Sequence, residues 1–104
     1  MKVIYNKIIP FKGYKCINLF GVLFVRKGCT MRERDYNHEA IHTKQMKELL
    51  YVPFYILYIL EWLYRLTQKG NAYKNVSFEK EAYDNENDMD YLNKREYFSW
   101  IKYI

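Results

Sequence analysis

Val22-Leu23-Phe24-Val25-Arg26-Lys27-Gly28 runs, one residue later, into Thr30-Met31-Arg32-Glu33-Arg34-Asp35-Tyr36-Asn37-His38-Glu39-Ala40-Ile41-His42. The first part is short, rich in β-branched and aromatic side chains, and closed by a glycine. That combination favours a strand over a helix. In the second part Thr30 followed by Glu33 matches a capping box, and Asp35 is a second candidate N-cap, so a helix starts within about a turn of Thr30. The switch from strand to helix inside one stretch predicts an α+β domain, mostly α: an amino-terminal β-hairpin or small antiparallel sheet followed by about three helices.

Upstream of this stretch, Val3-Ile4-Tyr5 and Ile8-Ile9 are β-branched or aromatic, and Pro10-Phe11-Lys12-Gly13 is a turn signal. Tyr14 to Leu19 partly alternates, and Gly21 interrupts it. Residues 1–29 therefore read as two or three short antiparallel strands. Downstream, the first helix covers 31–51. Pro53 suits the first turn of a second helix, 53–68, because its ring and missing N–H are tolerated there. No residue from Leu49 to Leu60 is charged. This run is too short to span a membrane, which takes about 20 residues. It is hydrophobic all round, so it packs in a core or lies against lipid, and Tyr and Trp near its ends suit an interface. Tyr51, Tyr55, Tyr58 and Trp62 fall on one broad face and read as packing residues. Gly70 closes the helix. Ser77 is a candidate cap for a third helix, 77–97, which either continues past the acidic stretch Asp84–Asp88 or breaks and restarts before Tyr97. The aromatic tail from Ser99 to Ile104 is expected to pack back.

The 104 residues make one domain, 1–104, since two would each lack an adequate core. Half the residues are hydrophobic and 19% are aromatic, which excludes a disordered tail or linker. The net charge of +5 is uneven: residues 1–34 set eight basic groups against Glu33 alone. Such a region could meet nucleic acid or an anionic membrane, but its charges are scattered among apolar residues, as on a solvated face, and no nucleic-acid motif accompanies them. Cys16 and Cys29 fit no metal knuckle and read as ordinary thiols in a reducing compartment. No cleavable secretory signal is legible, so the expectation is a cytoplasmic protein, either free or peripheral to or otherwise associated with a membrane through 49–66.

The chemistry-bearing motif is His38-Glu39-Ala40-Ile41-His42, an H-E-x-x-H, and it holds the only two histidines of the chain. On a helix, residues four apart share a face, so both imidazoles can reach one metal ion, Zn2+ above all. Glu39 leans toward the same point, where zinc hydrolases place the general base. A catalytic zinc needs a third protein ligand, and an acidic residue on another helix is the natural supplier. Ala82 would allow a close helix approach. Glu79, three residues before it, and Glu86, four after it, share its face, while Glu81 points about 100° away. Glu79 is the expected ligand, and Glu86 the expected acceptor for the outer N–H of a ligating histidine. Gln45, one turn past His42, can touch the site or remain a surface residue.

An H-E-x-x-H followed by a helix with E-x-x-A resembles the gluzincin metallopeptidases. Asn37 to His42, the hydrophobic helix after it, and Phe78-Glu79-Lys80-Glu81-Ala82 look like the peptidase core of two membrane families. These are the CaaX prenyl proteases with their heat-shock relatives, and the peptidase domain of β-lactam sensor-transducers. Small Bacteroidetes proteins with an N-H-E-x-I-H motif look similar too. The resemblance implies His38, His42 and Glu79 as zinc ligands, Glu39 as catalytic base, and a peptide or protein substrate. Those families usually place an Asp after the Ala; here Tyr83 stands there, and Glu86 is the substitute for its role. A strand such as Val22–Lys27 could receive an extended peptide by β-addition. Tyr36, Tyr73 and Tyr83 are the candidate oxyanion partners. The competing expectation is a non-catalytic zinc-binding structural or regulatory protein.

Overall fold

The computed structural model describes residues 2–9 and 14–104. The turn expected at Pro10–Gly13 lies outside the described residues. The architecture is α+β, as the sequence predicts: strands β1 (Lys2–Asn6), β2 (Cys16–Leu19) and β3 (Val22–Arg26), then helices α1 (Glu33–Glu48), α2 (Val52–Arg65), α3 (Ala72–Asn75), α4 (Ser77–Asn85) and α5 (Tyr91–Lys94), and a closing 3-10 turn at Ser99–Tyr103.

The sheet is mixed rather than antiparallel. Its order is β1-β3-β2, with β1 parallel and β2 antiparallel to β3. The reason is local. Phe20 and Gly21 both have positive φ, 55° and 87°, the conformation of a tight two-residue hairpin, and this locks β2 against one edge of β3. β1 is left with the other edge. Because β3 has both edges paired, it cannot receive an added peptide strand, contrary to the expectation for Val22–Lys27. The free edge next to α1 belongs to β2.

Leu23 and Val25 alternate onto the buried face of β3 and, like Ile41 of α1, are fully buried. Asn18 fixes the register between sheet and helix: its amide donates to the Glu39 carbonyl and the Thr43 hydroxyl, both at 3.0 Å. Helix α1 begins at Glu33, later than the Thr30 box predicts. Neither Thr30 nor Asp35 is the N-cap, which is Arg32; Asp35 stands at the third helical position, where its carboxylate accepts the Arg32 N–H at 2.9 Å while Lys15 pairs with it at 2.7 Å. The main core lies among α1, α2 and α4, where Met46, Phe54, Val76 and Phe78 cluster. The Phe78 ring meets Phe54 at 4.7 Å and Trp100 at 4.8 Å, so the aromatic tail does return to the core. Burying each such ring contributes roughly 1.5–3 kcal/mol.

The third helix is shorter than 77–97. It stops at Asn85, α5 is a separate turn, and a four-residue helix, α3, precedes it. Ser77 is also not the cap of its helix. It is the first helical residue, and its N–H and hydroxyl bond the Glu61 carboxylate at 2.8 and 2.5 Å. Helix α4 is thus capped from outside, by a side chain of α2.

Candidate metal centre

His38 and His42, four residues apart on α1, point across the α1–α4 interface at Glu79 in the first turn of α4. Fully buried Ala82 lets the helices come close. The His38 Nε2 and His42 Nε2 atoms lie 3.1 and 3.0 Å from Glu79 Oε1, and 3.1 Å from each other. All three residues are buried, and they form a group that could hold a metal ion.

Proton accounting shows why this cluster wants a cation. The Gln45 amide N–H donates to the Phe78 carbonyl and to Glu81 Oε1, each at 3.0 Å. Both partners only accept, so the amide orientation is fixed, and the Gln45 oxygen faces His42 Nδ1 at 2.8 Å. Nδ1 of His42 must therefore carry the hydrogen. Glu86 Oε2, 3.3 Å from His38 Nδ1, sets the same tautomer there. Neutral imidazoles so held aim two lone pairs at a carboxylate oxygen that is also only an acceptor. Three acceptors about 3 Å apart need a cation among them. In the metal-free protein that cation is a proton. Burial opposes charge on His42, but the Glu79 carboxylate outweighs it and raises the imidazole to about 10. Burial would raise Glu79 in turn, yet His42 and His38 hold it well below the usual carboxylate range.

Neighbouring side chains tie the group down. The Tyr58 hydroxyl donates to Glu79 Oε2 at 2.8 Å, which leaves Oε1 to face the histidines. Burial first, and Glu79 second, push the Tyr58 phenol far up, so it stays a donor. The Tyr83 ring packs edge-on against His38 at 4.6 Å. Tyr83 therefore braces a ligand-bearing ring where the resembling families have an Asp. Behind Gln45, Glu81 is buried and bonded to Tyr91 and Arg95, and Arg95 forks onto Glu48 at 2.9 and 3.0 Å. Glu81 does point away from the metal group, as its helical position predicts, but into a buried ion network rather than solvent.

A cleft of about 740 Å³ opens over the cluster, with Glu39, His42 and Glu79 in its wall and aromatic side chains of α2 opposite. Loss of water raises the Glu39 carboxyl above its ordinary range, although both imidazoles pull the other way. Cys16, Ile17 and Asn18 of β2 form another wall, so the sheet edge that borders the cleft is β2. Of the three tyrosines proposed for an oxyanion, Tyr73 lines the cleft; Tyr36 is engaged with Tyr5 at 2.8 Å on the outside of the molecule. Cys16 and Cys29 are both free thiols, and burial pushes Cys16 up to about 12.

Sequence reasoning missed Tyr58 and Glu61. Both sit on a helix whose apolar composition masks them; their inward spacing, 54-58-61-65, was the available signal. The chain matches no known protein family, no curated protein and no solved structure.

Proposed function

We propose that the protein is a small zinc-dependent metallopeptidase of the gluzincin type. The observation that carries this reading is the convergence of His38 Nε2, His42 Nε2 and Glu79 Oε1, with Glu39 beside them in an open cleft. The donor set fits zinc. Two neutral imidazoles and a carboxylate make a three-ligand catalytic set, and tetrahedral bonds of about 2.0–2.1 Å separate ligand atoms by about 3.3 Å. The observed separations are 3.0–3.1 Å. Both histidines have outer partners, Gln45 and Glu86, of the kind that orient metal ligands.

Bound zinc supplies Lewis acidity, which polarises the scissile carbonyl and acidifies the attacking water. Glu39 takes a proton from that water as its oxygen attacks the carbonyl carbon, then passes the proton to the leaving amine as the C–N bond breaks. A carboxylate raised by burial suits this exchange near neutrality. Tyr73, in the cleft wall, is the candidate donor to the carbonyl oxygen as charge builds there, a role in which its hydroxyl would turn from Glu79 to the substrate. The β2 edge and the aromatic wall of the cleft support an extended peptide with apolar side chains as substrate.

The test is Glu39→Gln. It removes the base and leaves the ligands, so zinc content should stay equal to wild type while peptide hydrolysis drops by at least about 100-fold. Hydrolysis unchanged in that variant would sink the proposal. Full zinc loading with no hydrolysis of any peptide library by the wild type would favour a purely structural or regulatory zinc site.

A further inference from the structure

Helix α2 puts Phe54 into the core and is apolar on its outer face as well. Its charged residues, Glu61 and Arg65, are turned inward, where they pair at 3.3 Å and Glu61 caps α4. At 100° per residue the remaining outer arc sweeps about 220° of the helix, and no charged side chain lies on it. Val52, Ile56, Ile59, Leu60, Leu63 and Leu66 stand on that arc, each between 49% and 57% exposed. The hairpin tip extends the patch: Phe20 is 56% exposed and its ring sits 6.2 and 5.2 Å from those of Tyr51 and Tyr55 at the start of α2. So broad an apolar surface needs a partner.

We propose that this face docks on the surface of an anionic lipid bilayer. Two observations select lipid over a second protein, and a third decides how the helix sits on it. A packed helix covers a stripe of about 100°, less than half of this arc, whereas a fluid apolar medium covers all of it. The charge is complementary: from Leu49 to Gly70 Glu61 is the sole acidic residue and is neutralised inward, while Lys47 and Lys69 flank the helix as exposed cations on a chain of net charge +5. The helix also has the wrong length for crossing. Its 14 residues reach about 21 Å, against about 30 Å of hydrocarbon, and no described helix is long and apolar enough to span a membrane. It therefore lies in the interface plane, with Trp62 and Tyr64 near its far end. This inference stands apart from the proposed peptidase reaction.

The experiment is flotation of the full chain with mixed phosphatidylcholine–phosphatidylglycerol vesicles, in parallel with light-scattering chromatography in the absence of lipid. Wild type should float with the vesicles, and in a Trp100→Phe background the Trp62 emission should shift to the blue. Ile59→Lys with Leu63→Lys should reduce vesicle partitioning by about tenfold or more, with unchanged circular dichroism and metal content. Wild type that stays off the vesicles overturns the proposal whatever the variant does. So does a stable wild-type dimer that the double lysine variant dissociates while vesicles capture neither protein.

Discussion

Tyr58 reads in the sequence as one more aromatic on a greasy helix, yet its hydroxyl is what aims the Glu79 carboxylate. Tyr58→Phe keeps the ring and removes the 2.8 Å hydrogen bond. Zinc affinity should fall by about 10–100-fold, the usual cost of losing an outer partner of a ligand, with little change in thermal stability. Competition with a chromogenic chelator measures this. The His42–Glu79 pair also sets a pH dependence. His42 is raised from 6.5 to about 10, so the stabilisation from its protonated form is complete below pH 6.5 and disappears as pH rises through about 10. Glu79 is depressed from 4.5, so its share is present above pH 4.5 and is lost only as acid reaches its lowered value. The metal-free protein should therefore have a lower urea midpoint near pH 10 than near pH 6.5, and metal binding should release a proton. Equal midpoints at the two pH values would show that the pair is not a proton-bridged one.

At the scale of elements, α4 depends on α2. Glu61 satisfies the Ser77 N–H and hydroxyl together, two residues before the metal-facing Glu79. Glu61→Ala should cost about 1–2 kcal/mol, the range for loss of a helix cap, and hydrogen exchange should rise first at the start of α4. This dependence explains which parts of the structure were legible. Motif spacing placed the histidines, and the position of Ala82 placed Glu79 and Glu86, because both arguments need only helix geometry. Thr30 and Ser77 match capping patterns as well as the residues that cap these helices. Asp35, at the third position of α1, and Glu61, from another helix, bond those helix starts instead, through contacts with Lys15 and Ser77 that lie far apart in sequence. The parallel pairing of β1 was illegible for a related reason: the chain reverses between β1 and β2 and again at Phe20-Gly21, so β1 and β3 run the same way, and they become neighbours only because β2 takes the other edge of β3.

Across the whole molecule, Arg95 is the charged anchor of the carboxyl-terminal segment on α1 and α4, beside the packing of Trp100 on Phe78. Arg95 bridges Glu81 of α4 and Glu48 at the end of α1, and Glu48 also accepts the Phe98 N–H at 2.6 Å. All three side chains are 5% exposed or less. Arg95→Met should cost about 3–5 kcal/mol, because it leaves two buried carboxylates without their cation. Urea unfolding would show it.

Helix α2 stands between two surfaces: on its inner side Tyr58 bonds Glu79 and Glu61 caps α4, and on its outer arc stand the exposed aliphatic residues. A ligand on the outer arc of α2 and an ion between the histidines both act on the same few contacts. Any preference one of them shows for a particular seat of that helix must appear in the affinity of the other by an equal factor, since linkage runs both ways. A single titration, of metal with the outer face occupied and then empty, reads both directions at once.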